Sequence, residues 1–260
     1  MSNHKGQMLE DEVVYHLNNK RFEALRPHYQ YIIEQMFGFV PDDAVITCER
    51  TSLPIKPDVI IKVNDEQRNL SIKREGAETL HAEKIKPFIL YLRSLGVSNR
   101  TQKTILLFQY GDGTVDGTGK ERMDYSHISC FLEDRIIEAI TELNNKELCI
   151  KILTRLIFDG VDPNAEKADA IYIGDGKSGA CVTRRQVIKY LKKKNWNHWD
   201  SFHIGPIIIK PHARYANKPI LNPEFRDRID CYWPNLGSDL KYITKRYLAY
   251  TPKNKRKEPK

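Results

Sequence analysis

An acid and a lysine stand on the two facing strands of a short hairpin. In KPDVIIKVNDEQRNLSIKR, Lys56 to Arg74, the residues Val59, Ile61 and Val63 alternate with Asp58, Ile60 and Lys62, the period of a strand. Asn64 to Arg68 is a polar turn, after which Leu70 and Ile72 alternate with Ser71 and Lys73. With the aliphatic side chains inward, Asp58, Ser71 and Lys73 fall on the other side, which Ile60 shares. A carboxylate that can hold a metal ion beside an amine that can handle a proton is chemistry for hydrolysis. The plain alternative is a surface hairpin whose Asp58 and Lys73 are merely solvated.

The flanking elements must position these groups. Residues 7–20 read as a helix in which Leu9, Val13, Val14 and Leu17 recur at helical spacing. Glu10 sits within that apolar stripe, while Asp11 and Glu12 point away. A carboxylate on an inward face is costly unless it is paired or bound to a cation; a Lys or Arg partner, or an escape to the helix edge, would also satisfy it. Residues 28–39 form a second helix and Ala44 to Arg50 a strand, with Glu49 just ahead of the hairpin. After Lys73 a helix is expected from about Ala77, carrying Glu78 and Glu83. Lys103 to Gln109 is expected as a buried central strand, followed by helices over Ser129–Leu143 and Lys146–Phe158. The Gly/Asp loops at 110–119 and 174–179 lack the ligand spacing of a calcium loop and the glycine spacing of a phosphate-binding loop. A short strand at Ala170–Ile173, a helix capped by Thr183 and an apolar strand over Ile204–Lys210 complete an α/β order.

Charge is unevenly distributed. The net charge is +8, but from Thr183 onward 19 Lys+Arg face 6 Asp+Glu, a net of +13, while residues 1–182 carry 23 against 28, a net of −5. Such asymmetry points to a polyanion. Arg184, Arg185, Lys189 and Lys193 line the polar side of the helix after Thr183 and suit phosphate contacts or a major-groove reader. Arg214, Asn217, Lys218, Arg226 and Arg228 follow, and residues 251–260 form a basic tail expected to be disordered. The five cysteines are widely spaced, without a CxxC or a Cys/His ligand spacing, and are expected as reduced thiols of a cytoplasmic protein. MSNHKGQMLEDE has no apolar run, so no secretory leader is expected, and nothing approaches the ~20 apolar residues of a membrane span.

Pro57-Asp58, a dozen residues, then Ser71-Ile72-Lys73 resembles the signature of the PD-(D/E)xK nucleases, the restriction-endonuclease-like superfamily. Ser71 stands where that pattern has Asp or Glu. The resemblance implies a core with a mixed central sheet flanked by helices over residues 1–160. A basic α/β recognition region would follow over 161–250. It implies Mg²⁺, with Mn²⁺ as the other cation accepted, held by Asp58, the Ser71 position and the Ile72 carbonyl. Glu10 matches the first-helix Glu of that family. Glu83, or Glu78, would replace the acid missing at Ser71, and Lys73 would orient or deprotonate the attacking water. The implied activity is hydrolysis of double-stranded DNA, in its most concrete form sequence-specific restriction by a homodimer. A repair or junction-resolving nuclease of the same fold, and a DNA-binding protein with a decayed site, are the alternatives.

Overall fold

The computed structural model describes residues 2–51, 56–119, 122–194, 196, 202–217 and 222–250. The chain runs through α1 (Ser2–Leu17), β1 (Lys20–Arg21), α2 (Pro27–Phe37), β2 (Val45–Arg50), β3 (Val59–Val63) and β4 (Glu66–Arg74). It continues through β5 (Thr79–Lys84), α3 (Ile85–Ser94), α4 (Asn99–Tyr110), α5 (Tyr125–Phe131), α6 (Glu133–Leu143) and α7 (Lys146–Thr154). Then come β6 (Ala170–Gly174), β7 (Gly179–Thr183), α8 (Arg184–Leu191), β8 (His203–Ile204), β9 (Ile207–Pro211), α9 (Ala213–Asn217), β10 (Arg228–Tyr232) and α10 (Leu236–Tyr250). The fold is mixed α/β.

Two compact units are formed from discontinuous chain. The first comprises residues up to Ala77, Asn164–Tyr190 and those from Asn235; the second comprises Glu78–Pro163 and Leu191–Pro234. The division expected after residue 160 falls close to one boundary, between Pro163 and Asn164, but the units themselves are not two contiguous halves. The chain leaves the first unit after β4 and returns to it at β6.

Among the described residues the first unit has a six-stranded sheet, ordered β1-β2-β3-β4-β6-β7. Its neighbours pair antiparallel except β4 and β6, which are parallel. The expected hairpin is β3–β4. Its turn is shorter than the sequence suggested, because Asn64 adopts a left-handed φ of 53° that Asn tolerates well. Leu9, Val13 and Leu17 of α1 share one core with Ile46 and Cys48 of β2, Val59, Ile61 and Val63 of β3, and Leu70 and Ile72 of β4. Val13 and Leu17 are fully buried and contribute roughly 1.5–3 kcal/mol each, so α1 is firmly seated on the hairpin. Thr183 caps α8 as expected. The Gln186 N–H donates to Thr183 Oγ1, and Gln186 Oε1 accepts from the Thr183 N–H, a capping box.

The second unit holds a four-stranded antiparallel sheet, β5-β10-β9-β8, among the described residues. Three elements differ from expectation. Lys103–Gln109 is not a strand but lies within α4. Thr101, Thr104, Ile105 and Phe108 are buried at helical spacing, Ser98 caps the start and Gly111, at φ 63°, the end. The short apolar run Ile105–Phe108 does not reveal its period, whereas the two caps do. The helix expected from Ala77 is instead β5, because Thr79–Lys84 pairs with β10, a partner nearly 150 residues away. The single strand expected over Ile204–Lys210 breaks at Gly205, where φ is 55°, into the β8–β9 hairpin.

Four of the five cysteines are buried and Cys130 is exposed, all as free thiols. Burial pushes the Cys48, Cys149 and Cys181 thiols up to about 12, which suppresses the reactive thiolate. The native protein is expected to titrate one fast thiol with an aromatic disulfide reagent and five after denaturation. A Cys130→Ser variant that kept the fast phase would contradict this placement.

Candidate active site

Asp58 lies immediately ahead of β3, opposite the end of β4. Its Oδ2 accepts two hydrogen bonds, from the Ile72 N–H (2.6 Å) and from Ser71 Oγ (3.1 Å). The segment carrying it is clamped from β2. Thr51 Oγ1 donates to the Pro57 carbonyl (2.6 Å), and the Thr51 N–H donates to the Asp58 carbonyl (3.1 Å). The carboxylate is thus held in orientation at the place where the β3–β4 ladder gives out.

Backbone parity fixes where the Ile72 carbonyl faces. A strand residue sends its N–H and C=O to the same edge, and consecutive residues alternate. The Asn69 carbonyl and the Glu75 N–H bond on the β6 side, while the Leu70 carbonyl accepts from the Asp58 N–H. Ile72 therefore presents its carbonyl, like its N–H, to the Asp58 side. Pro57 has no N–H to offer that carbonyl.

Side-chain parity separates the remaining groups. Leu70 and Ile72 belong to the core beneath α1, so Ser71 and Lys73 stand on the opposite face of β4. Ser71 is buried, and Asp58 and Lys73 are half-buried. Glu10, on α1, is half-buried beside the same strand end. Its pKa is raised, first by burial and next by the Asp58 charge, while Arg50 and Lys73 pull it down. Glu10 therefore senses both Asp58 and Lys73. Arg50, for which no role was expected, reaches Glu10 at 3.9 Å and Asp11 at 3.0 Å. Its signal was available: it ends β2, the strand that pairs with the hairpin.

The other acids have other partners or belong to the second unit. Glu49 is exposed on β2 and pairs with Lys62 at 4.0 Å. Glu78 and Glu83 belong to the second unit, on or beside β5. Glu78 is exposed. Glu83 is buried, and both of its oxygens accept from Arg155 (2.6 and 2.7 Å), with His81 Nε2 at 3.4 Å. Burial alone would raise its pKa, but the Arg155 and His81 hydrogen bonds more than offset this and hold it below the usual range. Among the described residues no group of three or more His, Cys, Asp or Glu is arranged to hold a metal ion.

The donors around Asp58 do suit a hard divalent cation. They are all oxygen: the Asp58 carboxylate, the Ile72 carbonyl, the Ser71 hydroxyl and, nearby, the Glu10 carboxylate. Two neighbouring carboxylates, one with a raised pKa, are the charge imbalance a cation relieves.

The expected basic residues are spread over both units. Arg184, Arg185 and Lys189 lie on α8, and Lys193 is exposed just beyond it. Arg214 and Asn217 are exposed on α9, and Arg228 is exposed on β10. Arg226 is committed internally, bound to Asp112 at 2.9 Å and lying over the Tyr110 ring. Lys218 and residues 251–260 lie outside the described residues. Among the described residues no helix is long and apolar enough to cross a membrane. Comparison with protein-family models, curated proteins and solved structures returned no match.

Proposed function

We propose that this chain is a metal-dependent endonuclease that hydrolyses phosphodiester bonds of double-stranded DNA, of the restriction-endonuclease-like kind. One observation carries the reading. Asp58 is oriented by Ile72 and Ser71 at a strand end, and Glu10 on α1 senses both Asp58 and Lys73. The mixed sheet with a helix packed across the hairpin is the architecture such a site requires.

In this reading Asp58 and the Ile72 carbonyl hold the cation and Glu10 supports it from α1. Mg²⁺, when bound, supplies Lewis-acid polarisation of a phosphate oxygen and a more acidic water. Lys73 orients the attacking water, accepts or relays its proton and offsets charge that develops on the phosphate. Ser71 keeps the Asp58 carboxylate turned toward the strand end. Two copies would be needed to cut both strands together.

A second reading has a specific observation behind it. Ser71 supplies no negative charge, and Glu83, the replacement expected from sequence, is taken by Arg155. A site with one acid fewer fits a DNA-binding protein whose catalytic centre has decayed. Plasmid DNA incubated with the protein and Mg²⁺ separates the two. Discrete fragments that disappear with EDTA, and in Asp58 and Lys73 variants, support sequence-specific cleavage. Binding without cleavage supports the second reading.

A further inference from the structure

One face of the second unit's sheet is basic in a way its fold does not require. Arg228 and Lys84 are directly opposite on β10 and β5, both exposed. Neither has an ion-pair partner among the described residues. Like charges directly opposite across a ladder destabilise a sheet. Alternation puts Asp230 and Tyr232 of β10 on the same face, with Lys210 of β9 opposite Asp230. The other face is the core side, where Glu83, Ile229, Cys231 and Ile209 are buried.

The aromatic groups beside this face are already covered. Lys210 Nζ lies 3.7 Å from the centre of the Tyr232 ring. At the rim, Arg214 lies over the Phe225 ring at 5.2 Å, and His212 packs on that ring at 4.4 Å. Asp230 is buried, only 6% exposed, and is engaged by Tyr232 and by His212 at 3.8 Å. Nucleic-acid surfaces that stack bases leave ring faces open. Here the rings bear cations, so what this face presents outward is positive charge.

We infer that the Lys84–Arg228–Lys210 face of this sheet is a docking surface for the phosphate backbone of duplex DNA, with Arg214 extending it at the rim. It rests on the DNA half of the function proposed above, not on cleavage. Charge asymmetry alone put the DNA contacts in the C-terminal third; this face adds Lys84, which lies far outside it, and Lys210.

The test is the salt dependence of binding of the full chain to a duplex, measured without divalent cation so that cleavage does not intervene. Each phosphate left without its cationic side chain lowers the slope of log K against log salt by about 0.9. Lys84→Ala/Arg228→Ala should therefore flatten the slope by about 2, on all duplex sequences alike, and Lys210→Gln by about 1. Removing the facing like charges should leave the melting temperature unchanged or higher, so weaker binding cannot be put down to unfolding. If the double variant nevertheless failed to fold, Lys84→Gln alone carries the test through its own change of about 1. An unchanged slope in folded variants of a protein that binds duplex overturns the docking face alone. A parent protein that does not bind duplex overturns both the face and the DNA reading. A duplex that is bound but stays uncut once Mg²⁺ is added sinks the nuclease reading and leaves the face standing. A single-stranded preference, with slope changes only on single strands, overturns the assignment to duplex.

Discussion

Asp58→Asn is expected to fold as the parent protein does and to lose metal-dependent DNA cleavage by about 10³-fold. The choice of asparagine matters. Asp58 Oδ2 accepts from the Ile72 N–H and from Ser71 Oγ, and alanine would leave these donors unpaired at roughly 1–3 kcal/mol each. Asparagine keeps a carbonyl oxygen for the Ile72 N–H and removes the negative charge. If Asp58 served only to cap the strand end, that substitution would be nearly silent. If it holds the cation, several kcal/mol of transition-state stabilisation go with it, at about 1.4 kcal/mol per tenfold in rate. Lys73→Met should cost about 10²–10⁴-fold, the range for a lost proton-transfer group. Lys73→Arg keeps the positive charge but cannot give up its proton in the accessible pH range, so its residual rate divides charge stabilisation from proton transfer. Single-turnover cleavage rates with thermal melting as a control check all three. An Asp58→Asn protein that cut DNA at the parent rate would remove Asp58 from the mechanism.

The strand period and the helix stripe made much of the first unit readable in advance. Val59, Ile61 and Val63 and the pair Leu70 and Ile72 are buried, as alternation requires, and the Leu9–Val13–Leu17 face of α1 covers them. That placed Glu10, Asp58 and Lys73 near one strand end. The second unit was less legible for a physical reason. Thr79–Lys84 has no strand character of its own; pairing with Arg228–Tyr232 across the chain makes it β5, and local propensity cannot anticipate a distant partner. The same partnership explains why Glu83 was misplaced. On a helix following the hairpin it would have been a natural supplement to Asp58. On β5 it is directed into a core that already contains Arg155. The apolar run Thr104–Phe108 was ambiguous in period, and only its caps at Ser98 and Gly111 identified it as helical.

Glu83 also supports the prediction with the largest effect on stability. Its carboxylate and the Arg155 guanidinium form a bidentate pair, with side chains 1% and 7% exposed. Arg155 further lies over the Tyr91 ring at 4.6 Å. Removing one member of such a pair strands the other charge in the core, at about 3–5 kcal/mol. Glu83→Gln and Arg155→Met should each destabilise the second unit by that order, measured by chemical denaturation. Glu83→Leu/Arg155→Met, which leaves no buried charge, should recover most of the loss, because an apolar replacement of a buried ion pair is often neutral. Acid should mimic the single change. The Glu83 pKa is depressed in the folded state. Its contribution is therefore complete above the ordinary glutamate range and disappears as pH falls through the lower folded value. The double variant should lack that acid-dependent loss. It also decides what Glu83 is for. If the ion pair is architectural, the double variant still cleaves DNA with Mg²⁺. If Glu83 supplies the acid absent at Ser71, the double variant is stable and inactive. A folded, inactive double variant would give the pair a part in cleavage beyond stability, whereas an active one would confine Glu83 and Arg155 to architecture.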